Sequence, residues 1–360
     1  MFATQSSARI SRTLARISYL ATLFILFVTT VSLSSRYPWL ISVVTLGGLA
    51  FGPVLAQRAW HDTHGTALRP TVVWFACAWG FAVLSQVQAL REPIASGRPW
   101  SGHSVYLCAL ASTAGLLSVL NARRPGAGAW AWLMGVLMLV FAIPWMESQG
   151  AVAHSHLNSR LHLEPPWNVF FGLLAGVGVA NFLPTRFWPA ALGLGASLGI
   201  VLVRLSATHL SLTTQALLWL PLPVTYSLVC MYALIPAVRD PSTHAESRAD
   251  RAWLWFRDRW GAAWGLRVQE RFNREAHVAN AKIQLSWEGT LERAQDDTGP
   301  TQPVHPNPAR FEAYESLRSI LKRFVDPSRL DAISGLEVAN RESPLVDAAA
   351  SSPKNVSTRE

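Results

Sequence analysis

Acidic side chains are nearly missing from the first two thirds of this 360-residue chain: residues 1–239 hold four, Asp62, Glu92, Glu147 and Glu164, against 14 arginines and lysines. Charged residues make up 15% of the whole, where an ordinary soluble domain carries about 25%. Residues 240–360 are by contrast balanced, with 17 basic and 18 acidic side chains, so the net charge of +9 arises entirely in the uncharged-looking part. That distribution excludes a single soluble enzyme domain. It also argues against a nucleic-acid partner, because phosphate binding needs its basic groups gathered on a water-facing surface. Cysteine is scarce too. Cys77, Cys108 and Cys230 all fall in apolar runs and no CxxC exists, which excludes a disulfide scaffold and leaves small buried side chains. GxGxxG, GxxxxGK, GxSxG and HExxH are absent, so no common nucleotide, hydrolase or zinc-protease motif points to an activity.

What is abundant is apolar sequence. Runs long enough to cross about 30 Å of hydrocarbon occur at 18–35, 38–56, 71–90, 104–120, 129–146, 167–183, 187–203 and 214–238. Eight such runs in succession cannot be buried in a soluble fold of this size. The fold expected is an all-α multi-pass membrane bundle of about eight transmembrane helices spanning 18–238, preceded by a basic cytoplasmic segment, 1–17, and followed by a small, mainly helical cytoplasmic region. The first run resembles a secretory signal in its basic flank, Arg9 to Arg16, but its length favours an uncleaved helix.

Tryptophan marks the ends of these runs. Trp39, Trp60, Trp100, Trp130, Trp132, Trp145, Trp167 and Trp188 lie at or just beyond them, where the ring can keep its N–H in the headgroup layer. Trp74 and Trp79 lie deeper and are expected to pack on a neighbouring helix. Eight arginines fall in the segments that are inside when the N-terminus is inside, and five in the outer segments, so both termini are expected in the cytoplasm. Small residues four apart, Gly48 and Gly52, Ala76 and Gly80, Gly172, Gly176 and Ala180, Gly195 and Gly199, predict close helix approach. Pro221 and Pro223 should kink or delay the last helix. The span interiors contain no Asp, Glu or Lys, which disfavours a charge-coupled carrier. Gln86, Gln88, Asn121, Asn181 and Gln215 are suited either to a polar path or to bonds between helices.

Histidine supplies the one chemically suggestive grouping. In the expected orientation His103, His154, His156, His162 and His209 lie on the outer face, and Glu147 and Glu164 bracket the third outer loop. Imidazole and carboxylate suit zinc, iron, nickel or copper(II). No spacing here fixes a coordination geometry, so the prevailing expectation is polar loop histidines and no bound cofactor, with a metal or redox group at His154, His156, His162, Glu147, His103 and His209 as the alternative. His61, Asp62 and His64 form a smaller inner cluster that lacks further ligands.

Beyond Pro241 the chain changes character. Trp253, Phe256, Trp260, Trp264, Val268 and Phe272 recur at helical spacing in a segment with seven Arg and five Asp/Glu, giving an amphipathic helix with an aromatic stripe. The stripe suits either the core of a small cytoplasmic domain, 245–336, or the membrane interface or a partner surface. Residues 282–287 alternate as one short strand with no evident mate, 309–325 read as a second helix capped off by Asp326, Pro327 and Ser328, and 340–360 read as a disordered tail. The function expected is a membrane scaffold or interaction protein, more an interaction module than an enzyme. Its partners are the lipid bilayer and a second copy or another membrane protein. A membrane enzyme or redox component using the outer histidines is the first alternative, and a transporter or channel without intramembrane acids the second.

Overall fold

A computed structural model describes residues 38–91, 100–122, 128–154, 161, 163–206, 220–233, 247–279, 281–292 and 308–335. The chain is mostly helical and divides into two compact units. The first holds eight helices among its described residues: α1 (Pro38–Leu49), α2 (Gly52–Asp62), α3 (Arg69–Arg91), α4 (Trp100–Leu120), α5 (Gly128–His154), α6 (Pro165–Ala180), α7 (Trp188–Ser206) and α8 (Pro221–Ala233).

Seven of the eight apolar runs are helical where described; the first, 18–35, lies outside the described residues. Four described stretches are long and apolar enough to cross a membrane: Trp39–Asp62, Arg69–Arg91, Gly102–Leu120 and Trp188–Ser206. Trp132–Glu147, Pro165–Ala180 and Pro221–Cys230 are shorter apolar helices. The side chains that coat them face outward. Trp39 is 60% exposed and Trp132 78%, and Val44, Leu139, Val169, Leu173 and Val203 are also open, a surface that suits hydrocarbon and not water.

Helix α4 is the axis of this unit. It packs against α3, α5, α6, α7 and α8, and nearly all of Gly102–Leu120 is buried. Its composition explains the position: Ser104, Cys108, Ala109, Ala111, Ser112, Ala114 and Gly115 are small, so neighbouring backbones approach closely. Around it α3 runs as a hairpin partner, tied near one end by Thr71 to Ser118 (2.7 Å) and near the other by Ser104 donating to Gln88 Oε1 (2.6 Å). Pro144 removes the amide that would donate to the Val140 carbonyl of α5, and one residue on the Phe141 carbonyl accepts from the Tyr106 hydroxyl of α4 (2.6 Å). The tight α6–α7 connection is held by Thr185, whose hydroxyl donates to the Phe182 carbonyl (2.7 Å) and accepts from the Phe187 amide (3.2 Å).

Several expectations change in detail. The second run ends not at 56 but at Asp62, after a turn at Ala50 and Phe51, and Thr63 closes that helix by donating to the Ala59 carbonyl (2.7 Å). Pro221 and Pro223 occupy the first turn of α8, where a missing amide costs little, and residues 207–219 before it lie outside the described residues. Trp79 packs as expected, its indole donating to the Leu49 carbonyl (2.9 Å).

The second unit comprises α9 (Arg248–Val278), β1 (Ile283–Ser286), β2 (Gly289–Glu292), α10 (Pro308–Leu321), α11 (Pro327–Ser334) and three residues from far upstream, Gly65–Ala67. Ser247 caps α9 by accepting from the Asp250 amide (3.0 Å). The long helix is not continuous: Gly261 has φ 75° and ψ −167°, which splits it in two. The lone strand expected at 282–287 has a mate, since β1 and β2 form an antiparallel hairpin with Leu285 opposite Thr290. Side chains of α9 occupy both of its outer edges. Asn273 accepts from and donates to the backbone of Leu285 (2.7 and 2.9 Å), and Asp250 accepts from the Thr290 amide (2.6 Å). Helix α11 has Asp326 at its N-terminal cap position and ends at left-handed Gly335. The disordered tail expected at 340–360 lies outside the described residues.

Candidate functional site

Within the first unit the polar chemistry converges on α8. Thr225, Tyr226 and Ser227 are consecutive, and the helical step of about 100° sends three neighbours in three directions. Thr225 bonds Ser197 of α7 (2.6 Å), Tyr226 bonds Ser112 of α4 (2.6 Å), and Ser227 fills the space left by Gly48 of α1, where an added Cβ would overlap its hydroxyl. Ser112 in turn donates to the Cys108 carbonyl (2.6 Å). These groups are neutral and largely satisfied by one another, with Ser112, Ser197 and Ser227 buried and Thr225 and Tyr226 half-buried. Such a seam fixes helix register; it holds no acid or base to move a proton.

Glycine spacing identifies some of the close contacts. Gly48 abuts Ser227, Gly52 abuts the Trp79 indole and Gly195 abuts Val179, whereas Gly80, Gly176 and Gly199 have open space where a side chain would go. Two tight positions, Gly115 under Phe75 and Gly178 against Leu116, were not indicated by that spacing. Of the candidate polar-path residues, Gln88 is bonded to Ser104, Gln86 is buried with no hydrogen-bond partner for its Oε1 among the described residues, and Gln215 lies outside them.

The histidine set is only partly visible. His103 is buried in the first turn of α4 and Glu147 is exposed on α5; His154 ends the α5 backbone, and His156, His162 and His209 lie outside the described residues. Among the described residues no three His, Cys, Asp or Glu side chains come together as metal ligands. His61 is on α2 but His64 follows its end, so the two do not share a helical face. Cys108 and Cys230 are buried and all three thiols are free.

The second unit gathers its aromatic residues inside. All six stripe residues, Trp253, Phe256, Trp260, Trp264, Val268 and Phe272, are buried, so the stripe is covered by its own chain and is not an open docking face. Phe324 supplies much of that cover. Its ring stands edge-on to Phe256 (5.1 Å), Trp264 (5.1 Å) and Trp260 (6.2 Å), while Phe256 and Trp260 stack on each other (4.8 Å). On the other side Trp287 lies edge-on to Trp253 (6.1 Å), and its carbonyl accepts from the Trp253 indole (3.3 Å) and from Arg257 (2.6 Å). Arg257 also pairs with Asp258, which is 1% exposed, at 2.7 Å. A bidentate Arg318–Asp331 pair (2.9 and 2.8 Å) joins α10 to α11. Beside it, burial pushes the Tyr314 phenol above its ordinary pKa.

The turn after α10 carries a feature that no motif announced. Thr66 and Val325 form an isolated antiparallel bridge: the Ala67 amide donates to the Phe324 carbonyl (3.1 Å), and the Asp326 amide donates to the Gly65 carbonyl (2.9 Å). Thr66 and Ala67 are buried there with Val325. Gly65 takes φ 70°, and a Cβ on it would crowd Asp326 Oδ2 at 2.7 Å. Three residues without alternation give no strand signal in sequence, so this pairing was not foreseen. Comparison of the chain with models of known protein families, with curated proteins and with solved structures finds no match.

Proposed function

We propose that the chain is a multi-pass membrane scaffold or interaction protein, with about eight transmembrane helices, both termini in the cytoplasm and a folded C-terminal unit that engages a second copy or another membrane protein. The observation that carries this reading is the pairing of two differently built bodies. One is an apolar helical unit whose polar seam is spent on helix-to-helix bonds, and the other is an aromatic-core unit with no reactive constellation among its described residues. The eight-to-five arginine asymmetry supports the orientation. Among the described residues Leu266, Val278 and Leu291 are the large apolar side chains left open on the second unit, at 57, 78 and 58% exposure, and are the positions at which a partner is expected. A photo-crosslinking residue placed at each in native membranes should give discrete adducts with one protein species or with a second copy. A sample that gives no adduct at any of the three, and that carries a stoichiometric metal or chromophore after purification in mild detergent, would replace this reading with the redox alternative.

A further inference from the structure

The residues Gly65–Ala67 sit between two membrane helices in the chain, since α2 ends at Asp62 and α3 begins at Arg69, yet they belong to the C-terminal unit. We infer that the Phe324–Asp326 turn is a binding site for the Gly65–Ala67 segment, and that through Phe324 this segment and the aromatic core of the C-terminal unit are energetically coupled. The occupant is fixed by the structure: an extended three-residue segment of this same chain.

Three features make the site specific. The two hydrogen bonds flank the Thr66–Val325 pair on either side, which is the pattern of a narrow, non-hydrogen-bonded antiparallel pair. Gly65 enters it in the left-handed region with Asp326 against its α-carbon, so a side chain there is both strained and crowded. The acceptor for Ala67 is the carbonyl of Phe324, the residue whose ring lies among Phe256, Trp260 and Trp264. Backbone and ring of one residue therefore serve two partners at once. Displacing the ring moves the carbonyl, and losing the segment frees the turn that seats the ring. Linkage makes the effect reciprocal: whatever loosens one end loosens the other by the same factor.

The coupling itself stands whether or not the unit recruits a partner.

Two measurements on the full-length protein in membranes or mild detergent test the inference. In a non-hydrogen-bonded pair the α-carbons are about 4.5 Å apart, within the range of about 4.4–6.8 Å that a disulfide spans. Thr66→Cys with Val325→Cys should therefore crosslink under mild oxidation at least tenfold faster than Thr66→Cys with Lys322→Cys, read as a linked peptide by mass spectrometry. Equal rates, or no link in either, would overturn the pairing. The second measurement needs no cysteine: amide exchange over residues 63–68 of the native protein should be slowed, and Phe324→Ala should accelerate it at least tenfold. Conversely Ala67→Pro, which removes the donor, should accelerate exchange over residues 253–264 while leaving α4 unchanged. Acceleration confined to each variant's own segment would show that the two are not coupled and would overturn the proposal.

Discussion

Replacing Gly261 by alanine separates two accounts of the aromatic helix by the sign of the effect. If α9 were one unbroken helix, as its regular stripe suggests, Gly261→Ala would stabilise it by about 0.5–1 kcal/mol, because glycine loses more backbone entropy on folding than alanine. The structure puts Gly261 at φ 75°, ψ −167°, a region essentially closed to any residue with a Cβ, where the strain costs on the order of 1–3 kcal/mol. The break also decides which way Trp260 and Trp264, on either side of it, enter the core. The substitution should therefore destabilise the second unit by about 1–3 kcal/mol, which corresponds to roughly 5- to 150-fold in the population of its open form. Amide exchange over residues 248–278 of the full-length protein reads that population directly. Exchange over α4 serves as the internal reference, since that helix lies in the other unit. Slower exchange in α9, or none of the expected acceleration, would mean that the helix runs straight through residue 261.

Other positions give contrasting outcomes. Gly48→Val should destabilise the helical unit, because a Cβ there overlaps Ser227, while Gly199→Ala should be tolerated in open space; thermal stability in detergent distinguishes them. Tyr226→Phe and Ser112→Ala should each cost about 1 kcal/mol and together little more than either alone, a coupling that a double-mutant cycle measures. The Tyr314 phenol has its pKa raised by burial, with the nearby Asp331 carboxylate adding to the shift and the Ser334 hydrogen bond opposing it. Because the folded value lies above the unfolded value of 10.0, the stability it contributes is complete below pH 10.0 and is lost as pH rises through the folded value. Alkaline unfolding of the second unit should therefore shift to higher pH in Tyr314→Phe, and an unshifted transition would assign the alkaline limit to another group.

Run length and low charge pointed to the apolar helices, four of which among the described residues are long enough to cross a membrane, because spanning hydrocarbon imposes a minimum length and excludes charge. The order in which the helices pack was not legible. In water an amphipathic helix shows which face is buried, but in lipid both faces are apolar, so nothing in periodicity separates central α4 from peripheral α1. What distinguishes α4 is its run of small residues from Ser104 to Gly115, a packing signal that four-residue glycine spacing captures only in part. Thr225, Tyr226 and Ser227 were legible in principle, as three successive polar residues inside an apolar run. In the second unit the stripe of Trp253, Phe256, Trp260, Trp264, Val268 and Phe272 is buried, but its spacing concealed the break, since it runs through Gly261 undisturbed. The mate of β1 was missed because Gly289–Glu292 is four residues long and joined by Trp287 and Glu288, which carry no hairpin turn signal.

The two units are stabilised by different physics, which gives the Gly65–Ala67 segment its significance. Helices in lipid gain little from burying apolar surface against one another, so their arrangement depends on close backbone approach and on a few bonds such as Tyr226 to Ser112. The second unit has an aromatic core, and each ring buried away from water is worth roughly 1.5–3 kcal/mol for a side chain of the size of Phe324. A connection between α2 and α3 that was anchored only by its own hydrogen bonds would fray readily, because water competes for each of them. Here the Ala67 amide donates to the carbonyl of the residue whose ring is buried among Phe256, Trp260 and Trp264. The bridge at Thr66 is in this way tied to the same residue, Phe324, whose ring completes the aromatic core.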